Sequence, residues 1–127
     1  MAFSTIRSYR DLKVWQESMN LAEDCYVLTR SFPKEEIYGM ISQIRRAGVS
    51  VAANIAEGYG RDSTGHYSIF LRHAQGSLKE LETRLLISVR VGLLASVTAD
   101  NVLNSCERIG KMLGSLIRKI ELERAAG

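Results

Sequence analysis

The chain has 127 residues, 46% of them apolar and 24% charged, and 17 Lys and Arg against 14 Asp and Glu give a formal net charge of +3. That length suits one domain around one core, and the near balance of charge excludes an acidic or strongly charged disordered chain. A single proline favours long uninterrupted helices, while the longest charge-free run, residues 47–56, is half of the roughly 20 residues a membrane span needs.

The spacing predicts a first helix over 11–31. Leu12, Trp15, Met19, Ala22 and Tyr26 recur every three or four residues, and Val14, Leu21, Cys25 and Leu28 form an adjacent stripe. Asp11 or Ser8 is the candidate cap, and Phe32-Pro33 ends the helix because a residue before proline is pushed out of the helical region. A second helix is predicted over 35–59, with Ile37, Ile41, Ile44, Gly48, Val51 and Ile55 facing inward. The turn formers of 58–63 lead to a third helix over 64–91, capped by Ser63 or Thr64 and carrying Phe70, Ala74, Leu78, Leu81 and Leu85. Gly92 marks its end, and a fourth helix is predicted over 99–124, starting near Asp100, with Val102, Cys106, Ile109, Leu113, Leu116 and Ile120. No stretch alternates with period two for long enough to form a strand. Four long helices joined by short loops predict an all-α, antiparallel, up-down-up-down four-helix bundle, one domain over 1–127.

Helix 2 departs from the pattern of a solvated helix. Opposite its inward stripe lie Val49, Ala52, Ala53 and Ala56, all small or apolar, and no charge intervenes between Arg46 and Glu57. A helix that is apolar or small nearly all round is buried on more than one side. In so thin a bundle the second cover is expected from another copy, which makes Val49, Ala52, Ala53 and Ala56 the candidate oligomer interface. Between the two faces run Gln43, Ser50, Asn54 and Glu57, answered on helix 3 by Ser77 and Glu80. These six residues are expected to form a structural polar seam that fixes register between helices.

Catalytic chemistry finds little support. Neither His66 nor His73 has a Glu three positions before it, so the Glu-x-x-His pairs of a di-metal bundle are absent. His66, His73 and Glu80 share a face, but successive members lie about 10 Å apart along the axis, too far to hold one ion. Phosphate loops, nucleophile elbows and dinucleotide fingerprints are missing, so no catalytic residue, metal or cofactor is expected. Cys25 and Cys106 stand alone, which suits a reducing compartment, and the first seven residues hold no apolar signal core; a cytoplasmic location is expected. Two basic rows, Arg72, Lys79 and Arg90 on helix 3 and Arg108, Lys111 and Arg118 on helix 4, are the candidate nucleic-acid contacts. Stacking aromatics are scarce, and Glu107, Glu121 and Glu123 dilute the second row.

The blocks Asp11-Leu12-Lys13-Val14-Trp15-Gln16, Phe32-Pro33-Lys34-Glu35-Glu36-Ile37-Tyr38-Gly39 and Ser42-Gln43-Ile44-Arg45-Arg46-Ala47 resemble the 23S rRNA intervening-sequence protein family. So do Ser50, Asn54-Ile55-Ala56-Glu57-Gly58 and Gly76-Ser77-Leu78-Lys79-Glu80-Leu81-Glu82-Thr83, so that the resemblance covers about residues 9–95. It implies a cytoplasmic bacterial protein, an antiparallel four-helix bundle and assembly into a ring, a homopentamer. More distantly the chain is similar to accessory proteins of diversity-generating retroelements, which bind nucleic acid and a reverse transcriptase. The family has no agreed activity, and the Asn54–Gly58 block brings no catalytic role. The expected function is a non-catalytic assembly or adaptor scaffold that binds itself and a protein partner. Electrostatic binding of structured RNA or DNA is the alternative.

Overall fold

Before the first helix the chain closes a short turn on itself. The Ser8 hydroxyl accepts the Arg10 N–H at 3.1 Å, and the Asp11 carboxylate accepts the N–H groups of Arg7 and Ser8 at 2.9 and 3.2 Å. This reciprocal cap holds a 3-10 turn at Tyr9–Asp11, from which the chain enters the helices of the computed structural model, which describes residues 6–126. Helix α1 spans Lys13–Thr29, α2 Met40–Tyr59, α3 Thr64–Arg90 and α4 Ser96–Ala126; among the described residues there is no strand.

Two helix starts differ from the sequence reading. Helix α2 begins five residues late, because Lys34–Glu36 forms a 3-10 turn and Gly39 is not helical. The Glu36 carboxylate accepts the Met40 N–H at 3.2 Å, so the acidic run serves as a cap rather than as helix. Ile37, predicted inward, is therefore half exposed. Helix α4 begins early, at Ser96: burial of Leu94 and Ala99 draws the preceding turn onto the core, and Asp100 is an exposed position inside the helix. The end of α3 is as predicted, with Gly92 at φ +82°, a conformation that costs glycine nothing.

The helices enclose one core. Val14, Leu21, Cys25 and Leu28 from α1 meet Ile44, Val51 and Ile55 from α2, Leu71, Leu78, Leu81 and Leu85 from α3, and Val102, Cys106, Ile109, Leu113 and Ile117 from α4. Of the two stripes of α1, that of Val14, Leu21, Cys25 and Leu28 faces the core. The stripe of Leu12, Trp15, Met19, Ala22 and Tyr26 lies beside the core, and Met19 and Tyr26 are 44% and 43% exposed. Gly48 decides between them. A Cβ there would stand 2.8 Å from Cys25 Sγ, so the bare backbone of α2 presses on the Cys25 side of α1 and turns the other stripe outward.

Each helix packs on two others, α1 on α2 and α4 and α3 on α2 and α4; among the described residues the backbones of the diagonal pairs do not approach closely. Between α2 and α3, Gln43 meets Arg84, Ser50 meets Ser77, and Gly58 meets Phe70, so the start of one helix lies by the end of the other. No helix among the described residues is long and apolar enough to cross a membrane.

Cys25 and Cys106 are free and buried, and burial is the first cause that pushes both thiols up to about 12. Both should resist thiol reagents at pH 8 and react at once in denaturant, which absorbance with a chromogenic disulfide checks. Since the folded values lie above the ordinary thiol value of 9.0, their stabilising effect is full below pH 9 and is lost as pH rises towards 12. The thermal midpoint should fall across that window.

Candidate functional site

Helix α2 positions the first surface. Val49 is 43% exposed, Ala53 is exposed and Ala56 is half-buried, while Ala52 is only 5% exposed and belongs to the interior of the chain. Of the four residues expected at an oligomer interface, three thus face outward, and Ala52 corrects the set. The outward stripe of α1 supplies Met19 and Tyr26 on the neighbouring helix. Arg45 lies over the Tyr26 ring at 4.6 Å, and Tyr26 and Val49 line one surface cleft. The outer side of the α1–α2 pair thus exposes Met19, Tyr26 and Val49, with Glu23 between the two α1 residues and Arg45 over the Tyr26 ring.

The polar seam lies between α2 and α3. The hydroxyls of Ser50 and Ser77 share a hydrogen bond of 2.8 Å, and Asn54 Nδ2 donates to the Ser50 carbonyl and hydroxyl at 2.8 and 3.0 Å. At the other end Arg84 donates to the Gln43 side-chain carbonyl and lies 3.7 Å from Glu80, while its Nε is buried without a partner among the described residues. Glu57 is not part of this seam. It pairs with Arg61, one turn on in sequence, at 2.8 Å, and both are about half exposed. Ser50→Ala should cost about 1–2 kcal/mol, because it strips partners from Ser77 and Asn54 together. Glu57→Ala should stay below about 0.5 kcal/mol, as exposed pairs do. Urea titration distinguishes the two, and equal effects would remove the distinction.

The basic rows converge only in part. Arg72, Lys79, Lys111 and Arg118 line one open groove of about 1240 Å³ between α3 and α4; Arg90 and Arg108 lie outside it. Four of the six cations are paired with acids. Arg72 meets Glu121 at 2.7 Å, Lys79 meets Glu82 at 3.2 Å, Arg108 meets Glu17 at 2.9 Å, and Lys111 meets Glu107 at 3.4 Å. Hydrogen bonds from Arg72 first, and then from Ser68, hold the Glu121 carboxyl below the usual carboxylate range. Carboxylates at this spacing offset the field that would draw a polyanion.

Sequence reasoning missed the groove between these rows, although its glycines were visible. Gly76, Gly110 and Gly114 line it together with Leu86, Leu103 and Ser115. Glycine inside a helix costs about 1 kcal/mol relative to alanine, so three on one groove are a signal. His66 accepts or donates at Ser63 Oγ, 2.7 Å away, and His73 stacks edge-on against Phe70. Among the described residues no three His, Cys, Asp or Glu side chains gather as metal ligands would.

Comparison with known proteins gives two findings. A family model described as 23S rRNA-intervening sequence protein matches residues 10–115. A crystal structure from Bacteroides thetaiotaomicron, described as a protein with unknown function from the S23 ribosomal protein family, is similar with a TM-score of 0.74 and 25% identity. The match covers 82% of this chain and 97% of that one. No curated protein matches.

Proposed function

The chain belongs to the 23S rRNA-intervening sequence protein family, and from that premise we propose that it is a non-catalytic scaffold, an antiparallel up-down-up-down bundle that assembles with copies of itself. The observation that carries this reading is the apolar outer face of α1 and α2. Met19, Tyr26 and Val49 are each more than 40% exposed on neighbouring helices, beside the charge-free turns of Ala53 and Ala56. Tyr26 and Val49 line one surface cleft, and exposed apolar side chains so placed are better covered in an assembly than left to water on a lone protomer. A ring of five copies, a cytoplasmic location and the distant tie to retroelement accessory proteins come from the sequence resemblance. The two free cysteines accord with a reducing compartment.

The alternative is electrostatic binding of RNA or DNA. It draws on Arg118 and Arg90, which have no carboxylate partner among the described residues, and on the gathering of four cations along one groove. The ion pairs at Arg72, Lys79, Arg108 and Lys111 weigh against it, because those acids already neutralise most of the row. Filter binding at about 50 mM salt separates the readings, since that condition favours phosphate contacts. The scaffold reading expects no retention of structured RNA or DNA by micromolar protein. Retention that falls steeply with salt would establish the alternative.

A further inference from the structure

A cleft of about 390 Å³ opens between α2 and α3 at the Arg84 end of the polar seam, lined by Gln43, Arg46, Ala47, Ser50, Glu80 and Arg84. Ala47 alone among these is apolar, so the walls are polar. Arg84 is held there in an unfavourable setting. Its side chain is 28% exposed, and its Nε–H is sealed from solvent with no acceptor among the described residues. Glu80 stands 3.7 Å from Nη2, beyond hydrogen-bond reach. An unpaired buried donor on a charged group is destabilising. What this placement achieves is a fixed guanidinium. Nη1 donates to the Gln43 side-chain carbonyl, which leaves Arg84 Nη2 and Gln43 Nε2 without an acceptor among the described residues. Arg46, exposed on the facing helix, has no acidic partner among the described residues either.

The charged groups lining the cleft are Arg46 and Arg84 against Glu80 alone. An oxyanion answers the free donors, since guanidinium N–H groups make their strongest hydrogen bonds to carboxylate and phosphate oxygens. Glu80 narrows the choice. A carboxylate beside an anion site repels any ligand that has no proton to donate to it, and accepts a hydrogen bond from one that has. Sulfate, ionised carboxylates and the phosphodiesters of nucleic acid carry no such proton. Inorganic phosphate does, and a phosphomonoester keeps one in quantity around its second pKa of about 6. We propose that this cleft binds a terminal phosphate group, as inorganic phosphate or a phosphomonoester. Arg46, Arg84 Nη2 and Gln43 Nε2 donate to it, and Glu80 accepts its P–O–H. The site shares no residue with Met19, Tyr26 and Val49 or with the two basic rows, so it goes beyond the scaffold reading without resting on it.

Inorganic phosphate titrated into the full chain at about pH 6 and constant ionic strength tests the site, read by the NMR signals of Arg84 Nε–H and the Gln43 side-chain amide. Both signals should shift and saturate with phosphate, and sulfate should bind at least about tenfold more weakly. Methyl phosphate in a parallel arm separates the two sources. Saturation by both ligands assigns the cleft to phosphomonoesters as well, and saturation by inorganic phosphate alone assigns it to the free ion. Arg46→Met should lower phosphate affinity about tenfold, the scale of one charge-assisted hydrogen bond, and leave the thermal midpoint in chloride unchanged. Glu80→Gln should raise sulfate affinity to that for phosphate, because an amide can donate where the carboxylate only accepts. A seam with a purely structural role would show neither effect. Equal shifts with phosphate and sulfate in the wild type, no saturable shift with either, or unaltered phosphate affinity in Arg46→Met would each overturn the proposal.

Discussion

Ala53→Glu should weaken self-association by more than about 100-fold while leaving the helicity of the protomer intact. Within one chain Ala53 is exposed, so the new carboxylate meets water and disturbs no packing. In an assembly closed over the Val49 face, the same carboxylate is desolvated without a partner. An unpaired buried charge costs several kcal/mol, and about 2.7 kcal/mol already corresponds to 100-fold. Sedimentation velocity at matched concentrations reads the effect. A variant that sediments as the wild type does would show that this face is not an interface.

Gly48→Val should destabilise the fold by about 3 kcal/mol, at the upper end of overpacking effects. The first added atom would stand 2.8 Å from Cys25 Sγ and 3.3 Å from Cys25 Cβ, inside the buried contact of α1 with α2. Neither neighbour has room to yield, since Cys25 is fully buried in the core. Gly76→Val is the matched control, in a helix interior with open space around it, and should change stability by less than about 0.5 kcal/mol. Chemical denaturation of both variants checks the contrast, and equal losses would mean that Gly48 has no special packing role.

The four helices and most of the core were legible because apolar residues at three-to-four spacing record which side of a helix is covered. The stripes of α3 and α4 show this, with Leu78, Leu81, Leu85, Cys106, Ile109 and Leu113 all buried. Helix α1 was harder. It has two apolar stripes, and periodicity alone gives no reason to prefer Leu21 and Cys25 over Met19 and Tyr26; the choice is made by a glycine on another helix. The start of α2 was hidden for a related reason, since Glu35 and Glu36 read equally well as a first turn and as a cap. At the candidate surfaces, small residues marked the outer turns of α2, but Ala52, one turn from Gly48 and beside the inward stripe, is buried within the chain. The basic rows were visible as rows. Glu82 and Glu107, one turn from Lys79 and Lys111, were legible too; the pairing of Glu17 with Arg108 and of Glu121 with Arg72 was not, because those carboxylates come from other helices.

The central claim is that this protomer is built to be covered along α1 and α2 by another copy of itself. Light scattering coupled to size exclusion, on wild-type protein at micromolar concentration, tests it most directly. The account predicts a mass that is a whole multiple of 14.2 kDa and greater than one protomer. A single species at 14.2 kDa across the concentration range would contradict it.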